Sequence, residues 1–155
     1  LSRHIVLIYT GRARLARNLL QNVIRRWYAR LPEIVSTARD LTENAERSAE
    51  ALRAGDLAKI GACLSAYWDH KKTMADGCEP EFVREMITGF ADLIHGASLA
   101  GAGGGGFLVL VTKPADAIPQ LRERLAGMEI IVPGHSFHSV AVDMKGLDVR
   151  VEDEG

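Results

Sequence analysis

The chain has 155 residues, 47% of them hydrophobic and 25% charged, with 19 basic against 20 acidic side chains for a net charge of −1. That balance suits one soluble domain able to bury its own core, and it gives no electrostatic case for a nucleic acid or membrane partner. No apolar run reaches membrane-spanning length and no signal peptide opens the chain, and the two cysteines, Cys63 and Cys78, lack metal-ligand spacing and read as reduced thiols of a cytoplasmic protein.

In chain order, His4 to Tyr9 is a short apolar, β-branched run that predicts a buried strand, closed by Thr10-Gly11. From Arg12 the period changes, and Leu15, Leu19, Val23 and Trp27, flanked by Leu20 and Ile24, recur at helical spacing. Arg12, Arg14 and Arg17 fall at the start of this helix, where cations oppose the dipole. Arg14 is therefore weighed equally as a solvated residue and as an anion contact, and Arg12 and Arg17 are read as solvated.

Pro32 opens a second helix that runs to Ala54-Gly55, with Ile34, Ala38, Leu41, Ala45, Ala49 and Leu52 as its apolar stripe. Asp56 is placed to cap a third helix, from about Leu57 to about Met74. Its apolar face, Leu57, Ile60, Leu64, Tyr67 and Trp68, continues onto Lys71, which either snorkels or reaches a ligand, with Lys72 beside it. Cys63 on this helix is expected to be buried. Asp76 to Pro80 is turn chemistry, and Pro80 starts a fourth helix that carries Phe82, Val83, Met86, Phe90 and Leu93-Ile94 to an end near His95-Gly96.

Next comes the most unusual stretch, Gly101-Ala102-Gly103-Gly104-Gly105-Gly106, followed by the strand Phe107 to Thr112. Glycine loses more conformational freedom on folding than any other residue, so such a run needs a reason. It lacks a Gly-Lys-Ser/Thr ending and leads into a strand, which separates it from the phosphate loops that open a helix. A linker would sit among polar residues, whereas this run lies between Leu99-Ala100 and a core strand. The preferred reading is a backbone surface that something approaches closely, with bare amides able to form an anion-binding concavity.

A short helix is expected from Ala117 to about Ala126, then strands over Met128 to Val132, Phe137 to Val142 and, at an edge, Leu147 to Val151. His135 and His138 are read as surface residues rather than metal ligands, and no nucleophile elbow or complete catalytic set is present. The order of elements predicts an α+β fold: a two-layer, ferredoxin-like antiparallel sheet with an inserted set of helices, forming one domain over 1–155.

Leu99 to Gly106 followed by a hydrophobic strand resembles the third motif of the GHMP kinases. The likeness is greatest to the L-fucose kinases, through Tyr9-Thr-Gly11, Arg14 to Gln21, Trp27 to Pro32, Trp68 with Lys71-Lys72, Gly77 to Pro80, and Ser98 to Phe107. The resemblance implies the carboxyl-terminal half of a cytoplasmic, ATP- and Mg²⁺-dependent sugar kinase. That kinase would phosphorylate the anomeric hydroxyl of L-fucose in salvage toward GDP-fucose.

On this reading Gly101, Ala102, Gly103, Gly104, Gly105 and Gly106 lie near nucleotide and substrate, and Thr10, Gly11, Arg14, Lys71 and Lys72 are candidate substrate or phosphate contacts. The family's ATP loop and acidic catalytic residue have no counterpart here. The implied partners are ATP, a small sugar and the ATP-binding amino-terminal half of the same kinase, and the isolated chain is expected to be inactive. The rival readings are a heptose phosphate kinase of the same superfamily and a non-catalytic binding or regulatory module.

Overall fold

The computed structural model describes residues 1–12, 17–130, 132–147 and 149, with the backbone alone for 17–19. Four strands, β1 (Ile5–Tyr9), β2 (Ile94–Leu99), β3 (Phe107–Thr112) and β4 (Ser136–Ser139), form one antiparallel sheet in the order β2-β3-β1-β4. Four helices separate β1 from β2: α1 (Arg17–Tyr28), α2 (Pro32–Ala54), α3 (Leu57–Met74) and α4 (Glu81–Gly89); α5 (Ile118–Ala126) separates β3 from β4. This is the expected ferredoxin-like α+β arrangement with helices inserted after its first strand. No described helix is long and apolar enough to cross a membrane.

Strand alternation decides where the core sits. In β1, Val6 and Ile8 are buried between the partly exposed Ile5, Leu7 and Tyr9. Leu108 and Leu110 of β3 and Ala97 and Leu99 of β2 join them, since they sit opposite one another in register. Val83 and Met86 of α4, Phe90 just after it, and Leu121 and Leu125 of α5 complete this cluster. Each large aliphatic or aromatic side chain taken fully out of water contributes roughly 1.5–3 kcal/mol, so this cluster is the main source of stability.

The long inserted helices follow a different logic. On α2 the buried positions are Ile34, Thr37, Asn44 and Ala51, whereas Ala45 and Leu52 are exposed, so the expected stripe is rotated. Two polar residues lie on the inner line because each finds a local acceptor. Thr37 Oγ1 donates to Glu33 O at 2.8 Å, and Asn44 Nδ2 donates across to Cys63 O on α3 at 2.9 Å. Cys63 is partly exposed rather than buried, because it faces the cleft that α2 leaves beside α3. Gly55 ends α2 in the left-handed conformation, and Asp56 caps α3 by accepting from Lys59 N at 3.0 Å, both as expected.

β2 corrects the sequence reading, which extended the fourth helix through Leu93-Ile94 to Gly96. The helix stops at Gly89, and the chain turns through Phe90 to Leu93 into a strand. Gly96, Ala97 and Ser98 have little strand propensity; their small size is what α3 requires. Gly61 of α3 and Gly96 of β2 meet backbone to backbone, and a Cβ on Gly96 would overlap the Gly61 carbonyl. The N–H of Ala97 donates to Ser65 Oγ at 3.1 Å, so α3 covers part of a sheet edge.

The expected strand over Met128 to Val132 is absent from the described residues there, with Ile131 outside them, and β4 covers only Ser136–Ser139 of the expected Phe137 to Val142. Leu147 and Val149 are not in a strand, and the rest of that expected edge strand lies outside the described residues apart from these two. The turn at Pro133-Gly134 takes up the chain instead, packed on Gly11, where a Cβ would overlap the Pro133 carbonyl.

The Gly61–Gly96 contact predicts that Gly96→Ala lowers the unfolding free energy by about 3 kcal/mol, the upper range for overpacking. Gly55→Ala, with open space around it, should cost only the left-handed conformation, about 1 kcal/mol. Urea denaturation of both variants checks the difference, and equal small losses would contradict the close helix–strand contact.

Candidate functional site

The glycine run connects β2 to β3, so it is a hairpin loop with a strand on each side, not a helix-to-strand linker. Gly101, Gly103, Gly104, Gly105 and Gly106 have φ of 71°, 94°, 79°, 154° and 97°. Side chains other than glycine rarely occupy that region, which accounts for the composition directly. Space adds a second constraint at two positions. A Cβ on Gly103 would lie 2.7 Å from Cys78 O, and one on Gly105 would lie 2.5 Å from Arg12 O.

Three segments pin the loop. At its carboxyl end, Thr10 N donates to Gly106 O at 2.9 Å and Thr10 Oγ1 to the same oxygen at 3.0 Å, while Gly106 N donates to Arg12 O at 2.7 Å. In the middle, Gly104 N donates to Cys78 O at 2.6 Å. At the amino end, Lys71 Nζ donates to Gly101 O and, at 3.5 Å, to Leu99 O. The N–H groups of Ala102, Gly103 and Gly105 have no acceptor among the described residues. Ala102 is partly exposed while Gly103 and Gly105 are buried, so the loop holds its free amides at and just beneath the surface of a backbone fixed at both ends.

Thr10 is fully buried, with its hydroxyl engaged by the loop, so it reaches the site through Gly106. Gly11, with φ of 66°, supports the turn against Pro133. Lys71 is half-buried, its ammonium 5.5 Å from the ring centroids of both Tyr67 and Trp68. Burial lowers its pKa, partly offset by the neighbouring Cys78. Lys72 turns away to Asp69 at 2.8 Å and Glu79 at 3.6 Å. Burial by itself would lower Lys72, but these two carboxylates together leave its pKa raised. Arg14 lies outside the described residues.

Arg12 and the Cys78-Glu79 turn also hold the loop. Arg12 is exposed, as expected, while its carbonyl anchors Gly106 and its guanidinium lies 4.8 Å from the Phe82 ring centroid. Cys78 and Glu79 form the loop's floor. The buried Cys78 backs Gly103 and Gly104, and Glu79 Oε1 accepts from Trp68 Nε1 at 2.6 Å, tying the turn to α3. Burial pushes the Cys78 thiol pKa up, with the Lys71 ammonium opposing it. Only the turn chemistry of Gly77 to Pro80 hinted at these contacts, since none involves neighbours in sequence.

A cleft of about 220 Å³ opens beside the loop, between Ala102 and α1, α2 and α3. The larger cleft of about 560 Å³ runs between α2 and α3, with no loop residue in its lining. His138 donates to or accepts from Ser136 Oγ at 2.8 Å and stands edge-on to Phe107, and the described residues contain no group of three metal-binding side chains.

Residues 48–129 match the family described as GHMP kinases C terminal. The chain is 32% identical over 125 residues to the bifunctional fucokinase/GDP-fucose pyrophosphorylase of Arabidopsis thaliana, covering 81% of this chain and 12% of that protein. It is 28% identical over 120 residues to the L-fucokinase/L-fucose-1-P guanylyltransferase of Bacteroides fragilis, covering 77% and 13%. The chain thus spans about an eighth of the length of these curated relatives. Among solved structures, L. major mevalonate kinase in complex with R-mevalonate superposes over 86% of this chain and 40% of its own, with a TM-score of 0.75 at 18% identity. Streptococcus pneumoniae phosphomevalonate kinase in complex with phosphomevalonate and AMPPNP covers 86% and 39%, with a TM-score of 0.64 at 18% identity. At that identity these two report the fold.

Removing the Lys71 latch should loosen the loop. Lys71→Met is expected to lower stability by about 1.5 kcal/mol at neutral pH, the low end for a hydrogen bond from a charged group. Because burial holds the folded-state pKa below the ordinary 10.5, the unfolded chain binds more protons in the window below that value. The advantage of wild type over Lys71→Met should therefore grow as pH rises toward 10.5. Urea denaturation at neutral pH and just below that value checks both statements, and an advantage that shrinks with rising pH would contradict the burial of this ammonium.

Proposed function

Because the chain belongs to the GHMP kinases, as their carboxyl-terminal domain, we propose that it forms the substrate side of an ATP-dependent kinase acting on the anomeric hydroxyl of L-fucose in the cytoplasm. The observation that carries this is the pinned glycine hairpin, whose N–H groups at Ala102, Gly103 and Gly105 have no acceptor among the described residues, the first of them partly exposed. Phosphoryl transfer asks a protein mainly for positioning and for stabilisation of developing charge, and a side-chain-free backbone held at both ends meets both needs. The choice of sugar follows the two fucokinase relatives.

In this reading ATP would supply the phosphoryl group, and Mg²⁺ would neutralise charge on the phosphates. The residues of this chain suited to the nucleotide are the loop amides, with Lys71 fixing the loop's entry and Thr10 and Arg12 its exit. The missing Cβ at Gly103 and Gly105 lets the loop pack directly on Cys78 and Arg12, which holds its amides in place. The group that orients the sugar hydroxyl, and most of the ATP site, belong to the remainder of the kinase. The isolated chain is accordingly inactive.

The test is a coupled ATPase assay on the full-length protein with L-fucose, with the product identified by phosphorus NMR. Fucose-dependent turnover yielding fucose 1-phosphate is the expected result; turnover only with a heptose phosphate, or none with any sugar, overturns the reading. In the same protein Gly105→Ala is expected to lower kcat/KM at least tenfold, since a Cβ there would push against Arg12 O and displace the loop. Unchanged kinetics would return the loop to a purely structural role.

A further inference from the structure

We propose that the cleft beside the glycine loop receives the C6 methyl group and adjoining edge of a 6-deoxyhexose, and so sets the choice of sugar; this rests on the fucose reading above. Leu20 and Val23 of α1, Leu41 of α2, Met74 and Ala75 at the end of α3, and Ala102 of the loop give it apolar walls, with the Tyr67 side chain of α3 beside them. Its volume of about 220 Å³ is below that of a site for a whole drug-sized ligand and suits part of one small sugar. Its one charged lining group, Lys71, already donates to Gly101 O and Leu99 O.

That composition discriminates in a particular way. A hexose with a primary hydroxyl at C6 would place a polar group against Leu20, Val23, Leu41 and Met74, with only the Tyr67 phenol and the third N–H of Lys71 left in the lining to pair with it. A 6-deoxyhexose places a methyl there and gains from burial, while a pentose lacking C6 leaves the cleft unfilled. Ala102 and Lys71 make the cleft continuous with the loop, so a methyl seated in it fixes the sugar relative to the bare amides. Leu20 is 57% exposed, an apolar side chain that a bound sugar would cover.

The experiment compares kcat/KM for L-fucose, L-galactose, which carries a C6 hydroxyl, and D-arabinose, which keeps the ring configuration without C6, in the full-length protein. Filling an apolar pocket with one extra carbon is expected to favour fucose over D-arabinose by about 10- to 200-fold. Leu20→Gln and Val23→Thr should each shrink both the fucose/arabinose and fucose/galactose ratios at least threefold, roughly the effect of placing one polar group in an apolar wall. Leu52→Gln, an exposed position outside this cleft, should leave the ratios unchanged. Robust fucose phosphorylation with ratios near one, or ratios untouched by both cleft variants, overturns the cleft assignment and leaves the kinase reading standing. Absence of turnover with any sugar removes the kinase reading and this proposal with it.

Discussion

Thr10 and Gly106 bond to each other in both directions. The Thr10 amide and hydroxyl donate to the Gly106 carbonyl, and the Gly106 amide comes within 3.1 Å of Thr10 Oγ1 while it donates to Arg12 O. This clasp joins the residue after β1 to the residue before β3, two central neighbours in the sheet. The core cluster fixes where those strands lie, and the clasp carries that rigidity out to the loop. Without it, five glycines in a hairpin connection would be free to sample both halves of backbone space.

The inserted helices complete the frame from the other side. α3 can approach β2 closely because Gly61 faces Gly96, and that approach brings Lys71 within reach of Gly101 and Leu99. The turn at Cys78-Glu79, tied to α3 through Trp68, then supports Gly103 and Gly104 from below. The two ends and the middle of the loop are thus held by elements separated in sequence by up to 96 residues. The cleft at Ala102 is a consequence of the same packing, since α1, α2 and α3 converge there.

The glycine run and the strand after it were plain from residue types alone, because repeated positive φ leaves a compositional mark. The caps at Gly55 and Asp56 were legible for the same local reason. β2 was not, since Gly96, Ala97 and Ser98 are chosen for contact with α3 and hide the strand period. The stripe on α2 misled because Thr37 and Asn44 are buried with their own acceptors, which hydropathy cannot register. The Arg12 side chain is exposed as its charge suggests, but its anchoring role runs through its carbonyl oxygen, and a backbone role leaves no trace in the side chain.

The central claim is that the loop is a fixed backbone surface, and amide hydrogen exchange by NMR tests it directly. The account predicts that Gly104 and Gly106, bonded to Cys78 O and Arg12 O, are protected nearly as well as the amides of β3. Ala102, with no acceptor among the described residues, should exchange much faster. Exchange at free-peptide rates across all of Gly101 to Gly106 would contradict it and make the run a flexible linker.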